Sequence, residues 1–130
     1  MATRPRSASR IRKLSDLELD RYTLVPRWVA RRAILVQVPV LPPGAAGMTS
    51  GRLIFLRRHE PSDGRSTLIA HELVHVRQFT EMGRLFFLIR YITGYLRNLA
   101  ALRNHHSAYL AIPEEREAYA SAAAWQHAQG

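Results

Sequence analysis

The stretch Leu68–Met82 constrains the fold more than any other part of the chain, because it contains no glycine or proline and carries the pattern His-Glu-Leu-Val-His at positions 71–75. Such a stretch predicts a helix, and side chains four residues apart lie on one face of a helix. The imidazoles of His71 and His75 can therefore reach one cation, with bonds of about 2.0–2.1 Å for zinc. Glu72 would lie beside that cation and could take a proton from a metal-bound water.

The ends of this helix are marked in the sequence. Ser66 can accept a hydrogen bond from a free backbone N–H of the first turn, so we expect it to be the N-cap. Gly83 is expected to end the helix at its C-terminal side. The residues around the two histidines are apolar, so the helix must be largely buried. Buried ionisable groups need partners, and the alternative to a metal site is a pair of core histidines satisfied by hydrogen bonds.

A catalytic zinc site takes three protein ligands and leaves one position for water. The chain has no cysteine, so the third ligand must be histidine or a carboxylate. No histidine follows at the spacing HExxHxxGxxH, since position 78 is glutamine and position 81 is glutamate. A later helix is predicted to begin at Pro113, and its first turns offer three carboxylates, those of Glu114, Glu115 and Glu117.

The chain resembles the gluzincin metallopeptidases, thermolysin-like enzymes whose third zinc ligand is a glutamate on a later helix. The likeness rests on His-Glu-Leu-Val-His and on a Glu-x-x-Ala segment, Glu115 to Ala118, about forty residues further on. The small size is similar to that of the minimal single-domain members, the minigluzincins. The resemblance covers about residues 33–125. It implies a zinc ion held by His71 and His75, with Glu72 as the catalytic general base.

By the same resemblance, Glu115 is the third zinc ligand. Glu117 is the alternative, because it too is followed by an alanine three residues later, and Glu114 is the third choice. The chain departs from the family at Tyr119, where an acidic residue often orients a ligand histidine. It departs again at Arg77, where stricter versions of the motif have an apolar side chain.

An enzyme of this type needs a donor for the developing oxyanion. Tyr109, Tyr119, His105 and His106 lie near the third-ligand segment in sequence, and Tyr109 is the preferred candidate. The aromatic residues of the middle helix, among them Tyr91, are interpreted as core packing. Arg90 and Arg97 are interpreted as a solvated face.

The predicted fold class is α+β: a short antiparallel β-hairpin or sheet followed by three helices, in a minimal zincin-like domain. Strands are predicted at Ala33–Leu41 and Gly51–Arg58 and could pair as a hairpin. The resemblance implies a sheet with its edge strand over the cleft, and Gly51–Arg58 is the candidate for that strand, to which an extended peptide could add. A short helix is expected at Asp16–Thr23, and a long one at Arg84–Arg103.

Length and composition bound the organisation and the partners. The 130 residues suit one domain, predicted to span residues 14–130 after a basic disordered tail of residues 1–13. The formal net charge of +9 favours non-specific association with polyanions, but no nucleic-acid-binding motif supports a specific role. No apolar segment is long enough to span a membrane, and the chain is predicted to be cytoplasmic.

The sequence is compatible with three functions. The leading one is a zinc-dependent metallopeptidase that hydrolyses peptide bonds of a peptide or protein substrate. The alternative is a metallopeptidase fold kept as a binding or regulatory module, with a metal ion and little or no catalysis. The third is a basic nucleic-acid-binding domain in which the histidine pattern is accidental.

Overall fold

The computed structural model describes residues 10–129, which form four strands and six helices. In chain order the elements are β1 (Ile11–Lys13), α1 (Asp16–Arg21), α2 (Arg27–Arg32), β2 (Ile34–Gln37), β3 (Gly47–Ser50), β4 (Leu53–Leu56), α3 (Thr67–Met82), α4 (Arg84–Leu102), α5 (His105–Leu110) and α6 (Pro113–Gln129). A small sheet thus precedes a set of helices, and the predicted α+β class is confirmed.

The strands form one mixed sheet in the order β1-β2-β4-β3. β1 and β2 are antiparallel, as are β3 and β4, but β2 and β4 run parallel. The predicted hairpin between the segments of β2 and β4 is therefore wrong. The reason is β3, which the sequence did not predict: it turns into β4 at Gly51, whose φ of 63° suits glycine, and takes the antiparallel partner position.

The assignment of Gly51–Arg58 as the edge strand is also wrong. Its strand portion, β4, lies between β2 and β3. The edge strand nearest α3 is β3. Because β3 is bonded to β4 on one side only, its outer side presents backbone groups that another extended chain could pair with.

Helix α3 lies at the centre of the molecule and packs against α6, α2, α4, and the β3 and β4 strands. Every residue from Ile69 to Val76 is buried. A helix that is buried on nearly all sides must be apolar on nearly all sides, and its exceptions are the ionisable residues of the 71–75 motif. The helix therefore holds these groups inside the core.

Both predicted ends of α3 are confirmed. The Ser66 hydroxyl accepts a hydrogen bond from the Ile69 amide at 3.1 Å and donates one to Glu60 at 2.6 Å. Gly83 follows the last helical residue with a φ of 81°, a backbone conformation that glycine adopts without strain.

Other elements differ from the prediction. The short helix predicted at Asp16–Thr23 is present as α1, whereas α2 was not predicted. Four helices follow the sheet rather than three, because Asn104 caps the extra helix α5 by accepting from the Ser107 amide. Ile11–Lys13 form β1 and not a disordered tail, since they pair with β2. Residues 1–9 of that predicted tail lie outside the described residues, and the single-domain assignment stays a prediction.

Among residues 10–129, no helix is both long enough and apolar enough to cross a membrane.

Removing the N-cap of α3 should weaken the fold. Ser66→Ala deletes the acceptor for the Ile69 amide and the donor to Glu60, and we expect the free energy of unfolding to fall by about 1–2 kcal/mol. Urea denaturation followed by circular dichroism measures this. Ser62→Ala, at an exposed position of the preceding turn, is the matched control and should change stability by less than about 0.5 kcal/mol. Equal effects of the two substitutions would contradict the assigned cap.

Candidate metal centre

The two histidines of α3 face each other inside the core. Their Nε2 atoms are 3.2 Å apart, and the rings are 4.9 Å apart between centroids and nearly perpendicular. His71 is 7% exposed and His75 is 6% exposed. The spacing of four residues thus brings the two Nε2 atoms together on one face of α3, as the sequence predicts.

Helix α6 brings Glu115 to the same point. Its Oε1 atom lies 3.1 Å from Nε2 of His71 and 2.5 Å from Nε2 of His75. The three atoms form a triangle with sides of 2.5–3.2 Å. Ligand atoms of a tetrahedral zinc site are about 3.3 Å apart, so a small shift of one side chain would fit this triangle to that ion.

Glu72 lies beside the triangle. One ligand atom from each of His71, Glu72 and His75 lies within 4.8 Å of the others, and this buried group could hold a metal ion. The Thr49 hydroxyl, on β3, donates to Oε2 of Glu72 at 2.6 Å. Burial raises the pKa of Glu72, and the Thr49 hydrogen bond and the nearby histidines offset that effect only in part.

The charges of the cluster are strongly coupled. Burial alone would raise the pKa of Glu115, but the hydrogen bonds from His71 and His75 outweigh it and hold the pKa well below the usual range. Burial would lower the pKa of His75, yet the hydrogen bond with Glu115 leaves it raised. These shifts favour an ionised Glu115 carboxylate next to a protonated His75 ring.

Two tyrosine hydroxyls also point to Glu115. Tyr91, on α4, donates to Oε2 at 3.1 Å. Burial, followed by the interaction with Glu115, raises the pKa of Tyr91 and of Tyr109. Both phenols therefore stay protonated at neutral pH and can donate hydrogen bonds. The interpretation of Tyr91 as core packing overlooked this contact, because it joins two helices.

Gln78 was not predicted as part of the cluster, although it is 1% exposed and links three of its neighbours. Its amide nitrogen donates to the Glu114 carbonyl at 3.0 Å and to the Glu117 carboxylate at 2.7 Å. Because both contacts take the NH₂ group, the amide oxygen must face Nδ1 of His75, 2.7 Å away. The spacing of three residues from His75 places Gln78 on the same face and is the signal that could have found it.

The orientation of Gln78 fixes the tautomer of His75. Nδ1 must carry a proton to donate to the amide oxygen, so Nε2 of the neutral ring is a bare acceptor. That acceptor lies 2.5 Å from the carboxylate of Glu115, and two acceptors at this distance need a proton or a cation between them. His75 is therefore satisfied at Nδ1 by Gln78, and its Nε2 can meet Glu115 only through a proton or through a cation.

The remaining predicted candidates have other contacts. Glu117 hydrogen-bonds with Gln78 and Arg77, and Glu114 forms an ion pair with Arg90 at 2.7 Å. The Tyr119 ring packs against His71, with centroids 4.3 Å apart.

The two histidines considered as oxyanion donors are not part of the buried cluster. His105 and His106 are exposed on α5, and His105 hydrogen-bonds with Tyr95.

Residues 41–83 match the eCIS core domain, a metallopeptidase-like fold found in extracellular contractile injection systems. The match contains β3, β4 and all of α3, with its His-Glu-x-x-His motif, and ends before Glu115. No curated protein and no solved structure is significantly similar to the chain. The match and the buried cluster together point to a metallopeptidase-like fold.

Replacing Gln78 should destabilise the metal-free protein. Gln78→Leu keeps the approximate volume but leaves Nδ1 of His75 and the Glu114 carbonyl without their partner, and buried unsatisfied groups cost about 1–3 kcal/mol each. We expect the free energy of unfolding to fall by about 2–4 kcal/mol in chemical denaturation. Gln126→Leu, exposed on α6, is the matched control with an expected change near zero. A Gln78 variant as stable as the control would show that the network contributes nothing.

Proposed function

We propose that this chain is a zinc-dependent metallopeptidase of gluzincin type that hydrolyses peptide bonds. The observation that carries the proposal is the convergence of three possible ligand atoms, Nε2 of His71, Nε2 of His75 and Oε1 of Glu115, within 3.2 Å of one another. Two imidazoles and one carboxylate are a zinc ligand set that leaves the fourth position open.

The donor set fits zinc in its chemistry as well as in its spacing. Imidazole nitrogen suits zinc, copper, iron and nickel, whereas magnesium and calcium prefer oxygen alone. His71, His75 and Glu115 would hold the ion, and Gln78 would orient His75 through Nδ1. When bound, zinc lowers the pKa of a coordinated water to about 7 and polarises a carbonyl group.

Glu72 is the proposed general base. Its carboxylate is held by the Thr49 hydroxyl, which leaves a second oxygen to accept the proton of the attacking water. Burial raises the pKa of Glu72, which brings a carboxylate closer to the range where it both takes and returns a proton near neutral pH. The same group would then deliver that proton to the leaving amine.

The edge strand β3 is the proposed substrate-binding strand. The Arg57 amide bonds to the Ala46 carbonyl, so the alternation of an antiparallel ladder turns the backbone groups of Gly47 and Thr49 to the open side. A peptide could add there as a further strand. A Cβ atom on Gly47 would lie 3.4 Å from Cγ of Glu72 and 3.2 Å from Leu68, so glycine keeps the space beside the general base open.

Tyr109 is the proposed donor to the oxyanion that develops on the substrate carbonyl. Its hydroxyl lies next to Glu115, and burial keeps it protonated by raising its pKa. Tyr91 donates to Oε2 of Glu115 and would hold this ligand in place. Removing one oxyanion donor typically lowers kcat by about 10²–10³-fold.

The second candidate is a binding or regulatory module that holds a metal ion without turnover. The burial of the cluster favours it: Glu72 is 4% exposed, and Tyr119 covers one face of His71. Both candidates require the metal ion. They differ in catalysis: the peptidase needs Glu72 as a general base, and the binding module does not. The cytoplasmic location remains a prediction from the sequence.

The identity of the third ligand can be tested without an activity assay. We expect Glu115→Gln to weaken zinc binding at least about 100-fold, because loss of a neighbouring orienting residue alone costs 10–100-fold. Glu117→Gln, which removes a carboxylate two residues away, should change the affinity by less than about tenfold. Competition with a chromophoric chelator gives both affinities. The reverse order would make Glu117 the ligand and contradict the proposal.

The general base can be tested by removing its charge. Glu72→Gln should lower kcat/KM on a broad peptide library by about 10²–10⁴-fold while zinc content stays near one ion per chain. Glu81→Gln, a more exposed glutamate of α3, is the control and should keep full activity. If the wild type and the Glu72 variant bind zinc but neither cleaves any peptide, the binding module is favoured. Equal cleavage by the two would exclude Glu72 as the base.

A further inference from the structure

Helix α4 carries an apolar stripe that faces solvent. Five side chains spaced at i, i+3, i+4, i+7 and i+11 are 46–71% exposed; they are Leu85, Leu88, Ile89, Ile92 and Leu96. This spacing places them along one face of the helix. We call them the α4 stripe. In a globular protein such a stripe normally packs against the core, and a large exposed apolar patch marks an interaction surface.

The opposite face of α4 already makes the contacts that attach the helix to the molecule. Phe87 is buried and packs against Phe79 of α3, with ring centroids 3.9 Å apart. Tyr91 donates to Glu115, and Asn98 donates to the Ala108 carbonyl. The helix is thus fixed from one side while the α4 stripe points away from the sheet and the metal centre.

Every charged residue of α4 is an arginine, and one of them, Arg90, is paired with Glu114 of α6. Residues 82–113 contain no aspartate or glutamate. Arg84 and Arg97 are exposed, and helical spacing places them on opposite sides of the stripe. The Arg84 guanidinium lies beside Gly51, in the turn between β3 and β4. Arg103 follows the helix and is also exposed. Long arginine side chains can rest their methylene groups on an apolar surface and extend the guanidinium to a polar layer.

We propose that the α4 stripe binds the surface of an anionic phospholipid bilayer, with the helix axis parallel to the membrane plane. An apolar face flanked by arginines is the pattern of helices that lie in the interface between headgroups and acyl chains. A second copy packed through the same face would offer these arginines no acidic partner from its own α4, since residues 82–113 contain no aspartate or glutamate. Acidic headgroups complement them, each basic residue near such a surface being attracted to it.

This proposal is independent of the metal centre. The α4 stripe contains none of the residues proposed to bind zinc, and its binding to lipid requires no catalysis. The span from Leu85 to Leu96 covers about 16 Å of helix at 1.5 Å per residue, which is three turns of contact with a bilayer surface.

Vesicle co-sedimentation tests the proposal with the full chain. We compare vesicles of phosphatidylcholine with vesicles of equal parts phosphatidylcholine and phosphatidylglycerol. Binding to the anionic vesicles should be at least about tenfold tighter at low salt and should weaken as salt screens the arginines. The triple substitution Ile89→Gln, Ile92→Gln and Leu96→Gln should reduce binding to anionic vesicles at least about tenfold. Trp28→Gln, which removes an exposed apolar residue of α2, is the control and should leave it unchanged.

A site-directed spin label gives a second readout that does not depend on disruptive substitutions. The chain has no cysteine, so Ile92→Cys and Trp28→Cys each provide one labelling site. With anionic vesicles, the label at position 92 should become accessible to oxygen and protected from a water-soluble nickel chelate, while the label at position 28 should not change. A label at position 92 that stays in water would overturn the proposal. So would a dimer in analytical ultracentrifugation that is lost in the triple variant, since the stripe would then bind a second copy.

Discussion

In the core between α3 and α6, a carboxylate oxygen of Glu115 faces Nε2 of both His71 and His75. Hydrogen-bond acceptors that meet in a buried place are unfavourable unless positive charge lies between them. In the metal-free chain that charge is a proton, in agreement with the raised pKa of His75. A divalent cation would replace the proton and bind all three atoms. The packing of α6 on α3 therefore depends on how this one point is neutralised.

The residues around this cluster also provide hydrogen-bond partners for its buried polar groups. Gln78 joins α3 and α6, because one end of its amide contacts His75 and the other contacts the Glu114 carbonyl. Tyr91 connects α4 to Glu115, and Thr49 connects the edge strand to Glu72. Each of these contacts satisfies a group that burial would otherwise leave unpaired. The sheet, α3, α4 and α6 thus meet at one polar cluster within an apolar core, and the proposed substrate strand lies directly beside it.

Local signals in the sequence predict α3 well, because the Gly- and Pro-free stretch, Ser66 and Gly83 all act within one helix. The hairpin prediction failed because β3 has little β-branched character (Gly-Met-Thr-Ser) and is defined by its pairing with β4, a contact that local patterns do not encode. Glu115 was chosen over Glu114 and Glu117 by resemblance rather than by spacing, since three carboxylates near one helix start are equivalent in sequence. Only the packing of α6 on α3 distinguishes them. The hydrogen bonds of Gln78 likewise arise between helices.

X-ray absorption at the zinc K edge, on protein loaded with one equivalent of zinc, tests the proposed metal centre of His71, His75 and Glu115 most directly. The account predicts a four-coordinate shell of nitrogen and oxygen at about 2.0–2.1 Å, with the outer-shell scattering of two imidazole rings. A shell of six oxygen atoms without imidazole scattering would contradict it, because zinc would then be bound elsewhere on the chain.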